Sequence, residues 1–291
     1  MPFNAMQPHE AVRTESARRF YAEELCRRNG ISSPAILAAF SAVPREQFIG
    51  PGPWLIQDSE ARTFTQSSDP ISIYQDALIV LDAAKHLNNG QPSLWAFHLS
   101  LLGVQPGDAV LHLGCGTGYY SAVLAELAGP RGRVVAVEID DSLAARARIA
   151  LAPWPQVTVL HADGARGAFN SADTVVVSAG ATHPLPSWLA ALKPGGKLLF
   201  PLTPSRGAGT MAYTTRKNLD LFSAALVGSV FFVEFEGARD LAIGEELSRA
   251  LADDHGAGVR SLRRDPHQKD GSCWLHGNGW CFSRHAPDTL V

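Results

Sequence analysis

The sequence predicts an α/β protein built on a doubly wound, mostly parallel sheet, with helices ahead of it and a C-terminal α+β extension behind it. Three observations carry this. Between residues 109 and 202, short apolar runs alternate with segments of helical periodicity. A cluster of three glycines separates the first apolar run from the first of those helices. Beyond residue 237 the composition changes and the alternation stops.

The elements follow in order. Charged and apolar residues recur every three to four positions in 10–29, which reads as a helix, and again in 33–42, where Ser33-Pro34 supplies a cap and a first turn and Val43-Pro44 a stop. Residues 50–69, rich in Gly, Pro, Ser and Gln, read as a loop-rich segment able to lie over a site. A strand is expected at 74–81, a connection at 82–90, and a helix at 92–102 that begins on Pro92. The parallel strands should end near Leu113, Glu138, Leu160, Ser178 and Leu202, with antiparallel strands at 211–215 and 226–236. In the tail, 241–252 reads as a helix and 273–283 as two short strands around Gly277-Asn278-Gly279. The resulting division is an N-terminal helical and substrate-side segment (1–105), a cofactor-binding core (106–236) and the extension (237–291).

The stretch from Ala109 to Ala128 carries the chemistry: a buried strand, the turn Gly114-Cys115-Gly116-Thr117-Gly118, and a helix from Tyr119. Glycines let a backbone approach a ligand and adopt positive φ, and the N–H groups that open a helix present partial positive charge to it. Twenty residues past Gly118, the apolar run from Arg133 ends in Glu138, an acid able to grip two ribose hydroxyls. This is a nucleotide-type cofactor site. Its glycines follow G-x-G-x-G, not the G-x-G-x-x-G of dinucleotide binders, which makes a nicotinamide oxidoreductase a distant alternative. With the strand-ending Asp163-Gly164 and the turn Lys193-Pro194-Gly195-Gly196, the chain resembles the Rossmann-like class I S-adenosylmethionine-dependent methyltransferases.

The residues before the glycine loop narrow the resemblance. Ala42-Val43-Pro44-Arg45-Glu46-Gln47-Phe48, then Gln91-Pro92 ahead of a helix, then the Gly114 loop with Tyr119, and Ser178-Ala179-Gly180-Ala181-Thr182-His183-Pro184 before the Pro-Gly-Gly turn are similar in order and spacing to the protein-L-isoaspartate O-methyltransferase family. The similarity runs over residues 20–233.

That resemblance implies S-adenosyl-L-methionine as cofactor. Gly114, Gly116 and Gly118 would lie beneath its methionine and ribose, Tyr119 against it, Glu138 on the ribose hydroxyls, and Asp163 with Gly164 beside the adenine. Two positions depart from the family's pattern. His112 stands where an acid commonly holds the cofactor's amino group; it either accepts a bond there as a neutral imidazole or is a buried, satisfied structural histidine. The family's Thr-Ile-Ser-x-Pro segment, whose hydroxyls hold the isoaspartyl carboxylate, aligns with Asn88-Asn89-Gly90-Gln91-Pro92, which lacks both hydroxyls. Asn88, Asn89 and Ser93, with Gln91 in the same segment, are the candidate acceptor-side residues; an ordinary turn before a helix is the competing reading. His98 and His183 are candidate bases for a hydroxyl or amine acceptor, and Trp54, Phe64 and Trp95 candidate pocket walls.

The expected activity is O-methylation of a carboxylate on a peptide or protein. Methylation of a small biosynthetic metabolite at O or N, and a non-catalytic cofactor-binding scaffold, are the alternatives. Net charge is −3 with both signs interspersed, so no nucleic-acid partner is expected, and Arg260 to Arg264, with three arginines, reads as a solvated turn or strand edge. The N-terminus lacks a basic region before an apolar core, and no apolar stretch is long enough to span a bilayer, so neither a signal peptide nor a membrane is expected. A cytoplasmic protein follows, with a homodimer as the candidate assembly. The four cysteines, Cys26, Cys115, Cys273 and Cys281, are read as reduced thiols. Cys273 and Cys281 flank His276 at a separation unlike the usual zinc spacings and are taken as strand cysteines, with no metal expected.

Overall fold

A computed structural model describes residues 8–57 and 61–287. The N-terminal residues read for a targeting signal, 1–7, lie outside the described residues, as do 58–60 of the loop-rich stretch and 288–291.

Two helices open the chain, α1 (Pro8–Arg28) and α2 (Pro34–Ala42). Ser33 Oγ accepts the Ile36 N–H at 3.4 Å and Pro34 fills the first turn of α2, as the sequence predicts. Four short strands, β1 (Leu55–Gln57), β2 (Arg62–Phe64), β3 (Leu78–Asp82) and β4 (Leu87–Asn88), form a small antiparallel sheet in the order β2-β1-β3-β4. The loop-rich stretch thus contains strands, and the strand expected at 74–81 starts later. Two contacts account for this: Asp69 caps a single 3-10 turn at Pro70–Ile73, and the carbonyls of Ile73, Gln75 and Ala77 are taken by the distant Arg45 guanidinium instead of a ladder. Helix α3 (Pro92–Leu102) follows, ended by Gly103 in the left-handed region.

The core alternates as expected: β5 (Ala109–Leu113), α4 (Tyr119–Ala128), β6 (Arg133–Glu138), α5 (Asp141–Ala150), β7 (Val157–His161), β8 (Ala172–Val177), α6 (Pro186–Ala190) and β9 (Leu192–Leu202). Strands β5 to β9 are parallel to their neighbours within this group. Then β10 (Gly209–Arg216) and β11 (Leu221–Val230) add antiparallel strands. The second lies earlier than the expected 226–236, because the turn after Arg216 is tight and β11 pairs with β10 from Phe222 to Val230. Its departure frees the following residues to face the cleft described below.

The tail does more than append. After α7 (Leu241–Asp254), strands β12 (Ser261–Arg263), β13 (Cys273–Gly277) and β14 (Trp280–Ser283) extend the same sheet, whose order is β13-β14-β12-β11-β10-β9-β8-β5-β6-β7. The arginine run is therefore not a solvated edge: β12 is buried between β11 and β14, and Arg263 keeps its charge there through a bidentate pair with Asp265 at 2.8 and 2.5 Å. Cys273 and Cys281 are strand residues, as expected.

Apolar residues cover both faces of the sheet. Tyr21, Ile36, Phe40, Trp95, Leu99, Val123 and Leu151 pack on one face, and Trp188, Phe200, Leu247, Leu262, Trp274 and Phe282 on the other. Among the described residues no helix is long and apolar enough to cross a membrane.

Candidate active site

The chain reverses its winding direction at β5, which has β6 on one side and β8 on the other. At such a switch point the loops after neighbouring strands diverge and leave a crevice. Here a cleft of about 1060 Å³ opens, lined by Gly114, Cys115, Gly116, Thr117, Tyr119 and Tyr120 after β5, by Ser178 after β8, by Asn88, Asn89, Gly90 and Gln91 before α3, and by residues 229–234 at and beyond the end of β11.

The glycine loop combines one open position with one packed position. Gly116 has φ +58°, and a Cβ placed there would meet nothing within 4 Å, so its backbone lies open to a ligand. Gly118 differs: φ is +97° and a Cβ would sit 2.6 Å from Leu151 Cδ1, so glycine is needed there to pack α4 against the end of α5.

Glu138, at the end of β6, is 7% exposed. Its Oε2 accepts the Gly116 N–H at 2.7 Å, and Oε1 accepts the N–H groups of Ile139 and Asp140 at 2.9 and 3.0 Å. Three donors leave part of the carboxylate's acceptor capacity, about four lone-pair sites, for a further partner. The carboxylate thus clamps the glycine loop and remains beside it.

His112 is buried in the middle of this region. Its Nδ1 bonds Ser121 Oγ at 2.8 Å and its Nε2 bonds Ser178 Oγ at 2.7 Å. Burial lowers its pKa to about 3, so the ring is neutral and one nitrogen donates while the other accepts. Both ring nitrogens are thereby engaged with serines, and it is the Ser178 hydroxyl, held by His112, that stands at the switch point.

On the opposite wall, Asn88 Oδ1 accepts the Gly90 N–H at 2.8 Å. Gly90 has φ +76°, and a Cβ there would approach Trp95 Nε1 to 2.7 Å and Tyr120 Cε2 to 2.9 Å. Asn89 is buried, and its Oδ1 accepts the Ile79 N–H at 3.1 Å and Arg45 Nη2 at 3.2 Å. Both neighbours are donors, which fixes the orientation of the amide. Its Nδ2 has no partner among the described residues. Gln91 also lines the cleft, while Ser93 does not; its N–H donates to Asp76 Oδ1 at 2.8 Å, where the carboxylate caps the start of α3.

Other candidates lie elsewhere. Gly118, Glu138, Asp163 and Gly164 are not in the cleft lining, although Glu138 bonds a loop residue that is. Asp163 closes a turn onto the Ala165 N–H at 2.8 Å and pairs with Arg166 at 3.2 Å, and Gly164 packs under Phe235. His98 is buried against Tyr213 OH at 2.5 Å, with its pKa lowered to about 4 by burial, and His183 stacks on Trp280. Neither is among the residues that line the cleft, and both make the structural contacts that competed with a role as base. Of the expected aromatic walls, Trp95 lines the cleft; Trp54 bonds Gly50 O in a separate small core, and Phe64 is exposed.

Sequence reading missed the residues that support this wall. Arg45, fully buried, ties the carbonyls of Ile73, Gln75 and Ala77 to Asn89. The Pro44-Arg45-Glu46 motif carried the signal but gave no partner, because the contacts span up to 44 residues of sequence. Ser178 and Asp76 were likewise invisible as partners.

Comparison with known proteins agrees with this architecture. A chain from Pyrobaculum neutrophilum described as protein-L-isoaspartate O-methyltransferase is 33% identical over 216 residues, 72% of this chain and 95% of the relative. One from Rhodopseudomonas palustris strain BisB5 with the same description is 32% identical over 225 residues, 74% and 92% of the two chains. Among solved structures, a Plasmodium falciparum protein described as a putative protein-L-isoaspartate O-methyltransferase in complex with S-adenosyl-L-homocysteine superposes with TM-score 0.60 at 17% identity. The superposition covers 76% of this chain and 98% of that one. The sequence model described as Protein-L-isoaspartate(D-aspartate) O-methyltransferase matches residues 21–240, and the chain belongs to that family.

Proposed function

We propose that this protein is an S-adenosylmethionine-dependent O-methyltransferase that esterifies the carboxylate of isoaspartyl or aspartyl residues in a peptide or protein. One observation carries the reading beyond family membership: a single cleft joins the open glycine loop to the Asn88–Gln91 wall, where a buried amide donor, Asn89 Nδ2, lacks a partner.

The residues present suit the cofactor. Gly116 offers open backbone, Glu138 beside it offers acceptor capacity for ribose hydroxyls, and Gly114, Gly118 and Tyr119 shape the loop under the methionine portion. His112 acts through Ser178, and Asp163 with Gly164 forms the outer turn toward the adenine side. The cofactor supplies an electrophilic methyl group on a sulfonium, a good leaving group.

The chain's own task is alignment. A carboxylate is ionised at neutral pH and needs no general base, consistent with the absence of His98 and His183 from the cleft lining. Asn89 Nδ2, covered in the described conformation, would donate to one carboxylate oxygen once the acceptor displaces the wall over it, and so orient the other. Holding the two reactants in line is worth up to about 7–11 kcal/mol in ideal cases. The segment 1–105 supplies the acceptor wall, 106–236 the cofactor core, and 237–291 the added edge of the sheet.

The test is methyl ester formation on an isoaspartyl peptide with radiolabelled cofactor, run beside the aspartyl isomer and a panel of small carboxylic acids and phenols. Ester on the isoaspartyl peptide is expected. Labelling confined to small molecules would replace the acceptor assignment, a reading favoured by Asn88 and Gly90 standing where the family carries its two hydroxyls. Cofactor binding without labelling of any acceptor would point to a scaffold.

A further inference from the structure

We propose that His267, Cys273, His276 and Cys281, on the C-terminal edge of the sheet, bind one zinc ion in a closed structural site. One donor atom from each of these four side chains lies within 4.8 Å of the others. Cys273 Sγ is 3.6 Å from His267 Nε2 and 3.7 Å from His276 Nδ1. Tetrahedral zinc with bonds of about 2.3 Å to sulfur and 2.0–2.1 Å to nitrogen places S and N about 3.6 Å apart, which the observed separations match.

A thiol has one hydrogen, yet two ring nitrogens approach the same sulfur. Asp270 N–H also points at it, at 3.5 Å, as a backbone donor stabilises a thiolate. Asp270 Oδ1 lies 3.7 Å from the sulfur but is already engaged by the Ser272 N–H and hydroxyl at 2.8 and 2.6 Å.

The fold spends a local irregularity on the arrangement. His276 faces Cys281 across the β13–β14 pair. Cys273 is three residues earlier, which in a regular strand puts it on the opposite face. The register shifts between Cys273 and Leu275, so that Cys273 pairs with Ser283 and returns to the face of His276 and Cys281. The extra residue, Trp274, is buried and donates through Nε1 to Asp254 Oδ1 at 2.7 Å. His267 arrives from the loop after β12, with its Nδ1 2.8 Å from Asp265 O. That carbonyl takes the Nδ1 proton and leaves the Nε2 lone pair for a metal, the arrangement usual for ligating histidines.

Two thiolates and two neutral imidazoles suit zinc, and four protein ligands leave no open position. Binding releases the Cys273 and Cys281 thiol protons to solvent and leaves the site neutral. The ion would fasten the β13–β14 hairpin and the 264–272 loop together at the sheet's edge, and none of its four ligands lines the cleft. The spacing is H-x5-C-x2-H-x4-C; only the bulge makes it a ligand set, so the sequence did not disclose it.

The test uses the full-length, tag-free protein purified with zinc and reductant. Metal analysis should give one zinc per chain, and replacement by cobalt should give the intense visible bands of a tetrahedral site together with thiolate-to-metal charge transfer. Both should be lost in Cys281→Ser and strongly reduced in His267→Asn. Zinc-free protein that fails to give these bands with cobalt would overturn the proposal even if the variants do not fold. So would a Cys273–Cys281 disulfide found in the protein purified without reductant but with zinc, or metal content unchanged in a folded His267→Asn.

Discussion

Arg45 donates to Asn89 Oδ1 at 3.2 Å from a fully buried position, and with the Ile79 N–H it fixes the Asn89 amide so that Nδ2 is the group left over. A charge from the N-terminal motif thereby sets the polarity of the cleft wall. Hydrogen bonds to charged groups contribute about 1.5–3 kcal/mol, so Asn89→Ala should lower kcat/KM for an isoaspartyl peptide roughly 10- to 100-fold. Asn89→Asp, which sets like charges together, should be worse. S-adenosylhomocysteine affinity, measured by calorimetry, should not change in either. Unchanged kinetics would remove Asn89 from the acceptor site.

Loss of Arg45 itself should act on the fold. Arg45→Met leaves three carbonyls without their buried donor and the Asn89 oxygen with the Ile79 N–H alone, and leaving a buried acceptor unsatisfied costs about 1–3 kcal/mol. Denaturant unfolding should show a loss of that order. Arg45→Lys should recover only part of it, since an ammonium lacks the planar fork that reaches both sides. Full stability in Arg45→Met would contradict this account.

How much of this was legible beforehand follows from range. The Gly114–Gly118 loop, α4, the five parallel strands and Glu138 are local patterns, and they appear where periodicity and glycine spacing put them. Arg45 with Asn89, His112 with Ser178, and the β12 insertion depend on partners dozens of residues away, which no local pattern encodes. Helix and strand limits moved where a side chain took over backbone partners, as Arg45 does ahead of β3. The Trp274 bulge is the sharpest case: one extra residue in a strand inverts which side chains share a face, and counting by twos misassigns them.

The two loop glycines should separate packing from binding. Gly118→Ala puts a methyl 2.6 Å from Leu151 Cδ1 at a φ of +97°, and should destabilise the protein by about 1–3 kcal/mol. Gly116→Ala meets no atom, so it should unfold with a smaller loss, about 1–2 kcal/mol from its positive φ, while S-adenosylhomocysteine binding weakens. Denaturation and calorimetry on both variants check this. The reverse order of stabilities would mean that the loop packs differently.

Glu138 is the residue proposed to couple the loop to the cofactor. Glu138→Ala strips an acceptor from the N–H groups of Gly116, Ile139 and Asp140, and should weaken S-adenosylhomocysteine binding on the order of 10- to 100-fold by calorimetry. Unaltered affinity would show that the carboxylate serves the loop alone.

Acid should expose the buried histidines. His112 and His98 titrate near 3 and 4 in the folded chain because burial penalises the imidazolium, against 6.5 when unfolded. Between those limits the unfolded chain binds a proton that the native state refuses, so stability falls as pH falls. Above about pH 6.5 neither group contributes a slope. Below it, each should cost about 1.4 kcal/mol per pH unit until its folded pKa is reached. Urea unfolding of wild type and His112→Asn between pH 7 and 5 should therefore differ in slope by about one proton. Equal slopes would mean that His112 is protonated in the native state, and that one of its nitrogens donates to a serine that now must only accept.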